Sequence, residues 1–153
     1  MWRNEKEFVK YLIDKLSSEG AECSRIETPA TGVGIPDMFI QGAGDDLFIE
    51  AKLLKIGIND LHDKVKIPWR PGQVAWASKY SMLHKTVNTT KHSWTLVGLT
   101  DGILAIRMGK AYSNSTVYTT DINVITWSKQ ELRSMNLFTF LISHTYTKTK
   151  EAK

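Results

Sequence analysis

The chain has 153 residues, of which 42% are apolar and 24% charged, which suits one globular domain with a sizeable core. Its single cysteine, Cys23, rules out an intrachain disulfide framework and a cysteine-ligated zinc site, and fits a reducing cytoplasm. No apolar run approaches the roughly 20 residues of a membrane span, the charged start Met1–Glu7 lacks a secretory apolar segment, and a formal net charge of +4 is compatible with a polyanionic partner without requiring one.

In chain order, Phe8, Val9, Leu12, Ile13 and Leu16 make one helical stripe over 4–18, which Gly20 ends. A short strand is expected over 22–28, followed by a loop at Thr31-Gly32-Val33-Gly34. Two apolar strands follow at about 36–41 and 46–52, joined by Gly42-Ala43-Gly44. Residues 53–70 read as irregular and basic. Pro71 suits the first turn of a helix running to about residue 85, and 86–92 reads as a polar loop. Trp94–Leu99 and Gly102–Arg107 are strand-like runs around the turn Thr100-Asp101-Gly102, and further strands are expected at 117–119 and 124–127. Ser128-Lys129-Gln130-Glu131 is a capping box that opens a last helix, and 148–153 is a polar tail. The order α-β-β-β-α-β, with strands and a helix after it, predicts one mixed α/β domain.

The residues that carry chemistry sit on the two central apolar strands. The first opens with Pro36-Asp37, and the second, Leu47-Phe48-Ile49, ends in Glu50-Ala51-Lys52. Strand side chains alternate, so Glu50 and Lys52 project to one face. Charges at the end of a strand buried on both faces need partners. Two carboxylates beside an ammonium are what metal-assisted phosphodiester hydrolysis requires. On the first helix Glu5 falls in the middle of the apolar stripe, whereas Glu7 points with Tyr11 and Asp14. Glu5 is therefore the carboxylate expected to face the sheet, with Glu7 as its competitor. His62, His84 and His92 share no metal-ligand spacing.

This pattern resembles the PD-(D/E)xK nuclease superfamily, and within it the Holliday-junction resolvases of archaeal and phage type and the related VRR-NUC domains. Glu5-x-x-Phe8-Val9-x-x-Leu12 is similar to their first helix, Gly32-x-Gly34-x-Pro36-Asp37 to the loop before the metal aspartate, and Arg70-x-x-Gln73 to the start of their second helix. The resemblance covers about residues 4–107; residues 108–153 match no pattern that names them. It implies a restriction-endonuclease-like α/β fold, a mixed sheet flanked by helices, with extra C-terminal strands and a final helix.

The resemblance also implies a Mg2+- or Mn2+-dependent DNA endonuclease. Asp37, Glu50 and the Ala51 backbone carbonyl would hold the metal, and Glu5 would contribute through a water or a second metal. Lys52 would stabilise charge developing on the phosphate, and Gln73 would orient the lysine or a phosphate. DNA would be met through its backbone by Lys55, Lys64, Lys66, Arg70 and Lys79, with Lys85 and Lys91 continuing an acid-free stretch. Trp69 and Trp76 either pack or wedge at a branch. Paired nicks in a junction need two active sites and so a homodimer. The alternatives are a general or nicking endonuclease in DNA degradation or repair, or a catalytically silent DNA-binding protein of the same fold. A phage or bacterial source is a guess from the likeness.

Overall fold

A computed structural model describes residues 2–26 and 34–149. Helix α1 (Glu5–Ser18) starts at Asn4, whose side chain accepts from the Glu7 N–H. Six strands form the central sheet: β1 (Glu22–Arg25), β2 (Met38–Gly42), β3 (Asp45–Leu53), β6 (Trp94–Gly98), β7 (Gly102–Arg107) and β9 (Val124–Ser128), side by side in that order. All neighbours are antiparallel except β3 and β6. That parallel pair needs a crossover, which carries β4 (Lys64–Lys66), α2 (Gln73–Leu83) and β5 (Thr89–Lys91). Every residue of β6 is buried, as in a strand covered on both faces.

The two faces have separate cores. On one, Phe8, Leu12 and Leu16 of α1 pack on Leu47, Ile49, Ala51 and Leu96, together with α3 (Lys129–Ser134) and α4 (Leu137–His144). On the other, Val97, Leu99, Leu104 and Ile106 meet Trp69 and Ala77 from the α2 segment. They also meet Val65 and Val117 from a two-stranded ribbon of β4 with β8 (Thr116–Tyr118).

The β2–β3 hairpin turns through Ala43 and Gly44, both in the left-handed region (φ 53° and 75°), as a two-residue hairpin of this hand demands. Gly42 has no room for a side chain: a Cβ there would lie 2.8 Å from the Phe138 ring.

Several sequence expectations need correcting. Helix α2 begins at Gln73 rather than at Pro71, because Gly72 (φ 93°) is left-handed and sets the helix start after itself. The segment 53–70 contains β4, which alternates Lys-Val-Lys and finds its partner far along the chain in β8. The polar stretch 86–92 contains β5, paired with β10 (Tyr146–Lys148), so the chain's polar end is partly a strand. The capping box at Ser128 and Glu131 forms as expected, with mutual bonds of 3.1 and 3.0 Å, but its helix α3 is short and α4 follows it. Residues beyond 107 are woven into the fold: β9 closes the sheet against β7, and Glu19 of the α1 C-cap accepts from the N–H groups at the start of α4.

Candidate active site

Leu47, Ile49 and Ala51 point toward α1, so Phe48, Glu50 and Lys52 point to the α2 face. The hairpin register Met38↔Ile49 extends to set Asp37 opposite Glu50, on that same face. One carboxylate oxygen of Asp37 accepts from the Ala51 N–H at 3.0 Å, which fixes its orientation across the hairpin. Lys52 Nζ lies 3.5 Å from Glu50 Oε2, and both side chains are almost wholly buried.

Burial pushes the Glu50 carboxyl up to about 8. The charge of Asp37 and a hydrogen bond between the two carboxyl groups add to the rise, and Lys52 opposes it. The other oxygen, Oε1, is buried without a hydrogen-bond partner. A carboxylate pair, Glu50 buried and Asp37 half-buried, with an unused oxygen fits a hard divalent cation, Mg2+ or Mn2+. Among the described residues no three or more His, Cys, Asp or Glu side chains converge. The set therefore fits a cation that takes backbone carbonyl and water oxygens as its remaining ligands, as Mg2+ does.

Two further buried polar atoms lack partners, Gln73 Nε2 and Ser93 Oγ. Together with Glu50 they border one small cavity of about 10 Å³, the room a single water needs. Gln73 is anchored on its other side, its Oε1 accepting from the Arg70 N–H at 2.7 Å. Trp69 also borders the cavity and donates Nε1–H to Thr95 Oγ1, the register neighbour of Glu50 in β6.

Gly34 holds the loop before Asp37 against the start of α2. It has φ 73°, and a Cβ on it would fall 2.2 Å from the Gly72 carbonyl oxygen. Gly32, the other glycine of that loop, lies outside the described residues.

Glu5 is not gathered into this site. It is exposed, in the first turn of α1, and forms no hydrogen bond or ion pair among the described residues. Helix α1 lies on the opposite face of the sheet from Glu50, and the buried part of its stripe begins only at Phe8, so the inward orientation expected from periodicity does not hold. Glu7 is tied to Arg3 at 2.7 Å.

The expected DNA contacts scatter. Lys55 follows β3, Lys64 and Lys66 flank the buried Val65 on β4, Arg70 precedes α2 and Lys79 is on α2; all five are exposed. Lys85 is exposed as well, but Lys91 is buried between Asp46 at 2.6 Å and Asp45 at 3.2 Å, where it anchors β5 to the hairpin. Trp69 and Trp76 pack: Trp69 stacks on Tyr112, and Trp76 stacks on Tyr80 and meets Phe48 edge-on. His92 bonds the Met108 carbonyl and Thr147, a tie between strands rather than a ligand. Ser93 and Thr95 were not singled out by sequence. The two hydroxyls at alternate positions, Ser93 and Thr95, at the start of an otherwise apolar run to Leu99 were the one available signal for them.

The six-stranded mixed sheet, the hairpin that pairs Asp37 with Glu50 and the flanking helices make a fold that is also seen in a Holliday junction resolvase. One solved structure similar to this chain is Hjc, a Holliday junction resolvase from the archaeal hyperthermophile Archaeoglobus fulgidus. The TM-score is 0.52 with 10% sequence identity, covering 88% of this chain and 98% of that one. No protein-family model and no curated protein sequence matches the chain.

Proposed function

We propose that the protein is a metal-dependent DNA endonuclease that prefers branched DNA, a four-way junction above all. The observation that carries the reading is the acidic pair, half-buried Asp37 beside buried Glu50, with Lys52 at 3.5 Å from Glu50, standing on a resolvase-like fold.

Asp37 and Glu50 would hold the cation, with the Ala51 carbonyl as a further oxygen. Bound there, a divalent metal supplies Lewis acidity toward the scissile phosphate and acidifies a water. Lys52 places its ammonium where negative charge grows on the phosphate oxygens as water attacks phosphorus and the bond to the leaving oxygen breaks. Gln73, anchored to the Arg70 N–H, borders the same small cavity as Glu50 with its amide nitrogen unpaired, and would orient Lys52 or a phosphate there. Glu5 acts, if at all, through a bound water or a second metal, and so less strongly than the pair. Lys55, Lys64, Lys66, Arg70 and Lys79 meet the DNA backbone, without reading sequence. Paired cuts in a junction follow from a homodimer that carries two such sites.

Labelled four-way junction, flap, duplex and single-stranded DNA, each incubated with Mg2+ or Mn2+, test the reading. Symmetric nicks in the junction support a resolvase. Equal cutting of all substrates makes the protein a general endonuclease, and binding without cutting makes it a silent DNA-binding protein.

A further inference from the structure

The β4–β8 ribbon has an outer face that the acidic site does not use. Val65 and Val117 are buried beneath it, and in the register Lys64↔Tyr118 and Lys66↔Thr116 the other four side chains share the outside. Tyr118 is 48% exposed and Lys64 Nζ sits 5.8 Å from the centre of its ring. Lys64 has no ion pair among the described residues.

A cleft of about 380 Å³ opens between this face and residues 110–115. Lys64, Thr116 and Tyr118 line one side; Lys110 and Asn114 line the other. The one acid, Asp121, is already engaged by Lys110 at 2.8 Å. The loop is folded over the ribbon by Asn114 and Ser115, both at positive φ (53° and 55°) although neither is glycine. Such conformations persist in side-chain-bearing residues where the surroundings impose them, and they gather at functional sites.

The cleft is joined to the acidic site by packing. Tyr112 lines the cleft and stacks on Trp69 with ring centres 5.4 Å apart, and Trp69 borders the cavity that holds Glu50. Two aromatic rings thus separate the cleft from the catalytic carboxylate.

We propose that this cleft holds an unpaired nucleotide of the DNA substrate, with the base on Tyr118 and its flanking phosphates on Lys64 and Lys110. An exposed tyrosine beside ammonium groups is the chemistry of single-strand binding, because every base has a stacking face and every phosphate a charge. A closed duplex supplies the phosphates but no free base. The inference rests on the nuclease reading and narrows it: among branched substrates, those that expose an unpaired nucleotide at the branch point, as a flap or an opened junction does, are held best.

The experiment measures binding of fluorescent oligothymidylate and of blunt duplex in EDTA, which prevents cleavage. Tyr118→Ala should weaken oligothymidylate binding about tenfold, at least fivefold more than it weakens duplex binding, and Tyr118→Phe should stay within about twofold of wild type. An oligonucleotide bearing 5-iodouracil should photocrosslink to the peptide containing Tyr118, a readout that needs no folded variant. Equal oligothymidylate binding by the alanine variant, or a crosslink elsewhere, overturns the inference. So does thymidine monophosphate binding as tightly as the oligomer, since the cleft would then be a mononucleotide pocket. Wild-type protein that binds duplex or a four-way junction but not oligothymidylate overturns this inference and leaves the nuclease reading standing; protein that binds none of the three overturns both.

Discussion

Asp37 and Glu50 face each other across the β2–β3 hairpin, and the Ala51 N–H between them donates to Asp37 at 3.0 Å. The arrangement sets the buried Glu50 carboxyl beside a second acid, so that burial first and the Asp37 charge next oppose its ionisation in the absence of a cation.

Glu50 therefore makes the metal-free protein sensitive to alkali. Its folded value, about 8, lies above the ordinary 4.5, so the folded state holds the extra proton between them. This group costs nothing below about pH 4.5, and its destabilisation grows as pH rises through about 8. In EDTA at pH 9, Glu50→Gln should be more stable than wild type by about 2–4 kcal/mol, read by thermal or urea melts. Because cation and proton compete for the same oxygens, the melting-temperature gain on adding Mn2+ should be larger at pH 8 than at pH 6. A gain independent of pH would place the metal elsewhere.

Gly34 is where the sequence has no latitude. Gly34→Ala must both adopt φ 73° with a side chain and displace the Gly72 carbonyl 2.2 Å away. The strain is about 1–3 kcal/mol, and it moves the loop that delivers Asp37. Cleavage should fall at least about tenfold while DNA affinity changes little, since a small misplacement of a metal ligand is costly in rate. Wild-type turnover by this variant would show that the loop does not position Asp37.

Lys91 separates charge that folds the protein from charge that binds DNA. Its ammonium is buried against Asp45 and Asp46 and over the Tyr146 ring at 5.6 Å. Lys91→Met should cost about 1–3 kcal/mol in urea denaturation, a discounted figure because Asp46 is partly exposed. The salt dependence of DNA binding should stay unchanged. By contrast, Lys66→Ala should reduce the slope of log K against log salt by about 1.

Glu5 and Glu50 should differ sharply in a rate assay. Glu50→Gln removes a carboxylate buried at the centre of the pair, and cleavage should fall by at least about a hundredfold. Glu5→Gln changes an exposed first-turn residue outside the acidic pair and should cost less than about tenfold, since on the proposed reading it would act only through a water or a second cation. A hundredfold loss at Glu5 would give that helix a direct catalytic role.

The strand hairpin and its charged ends were legible because local rules governed them. Alternation put Glu50 and Lys52 on one face, and Gly42-Ala43-Gly44 set a two-residue turn whose register brings Asp37 opposite Glu50. The parallel pairing of β3 with β6, the β4–β8 ribbon and the β5–β10 pair are non-local, with partners up to about 60 residues apart, and no short pattern announces them. Glu5 was misplaced because helical periodicity gives an angle around the axis but not where the covering sheet ends. Lys91 read as surface charge because its acids, Asp45 and Asp46, lie on another strand. Ser93 became visible only when the cavity beside Glu50 and Gln73 was formed.

The most direct test of the account is Mg2+- and Mn2+-dependent cleavage of a labelled four-way junction by wild type, Asp37→Asn, Glu50→Gln and Lys52→Met, with binding measured in parallel. The account predicts metal-dependent nicks by wild type, their loss in all three variants, and junction affinity within about threefold throughout, because the DNA backbone is held by other residues. Nicking by Glu50→Gln at the wild-type rate, or a wild-type protein that binds the junction and never cuts it, would contradict it.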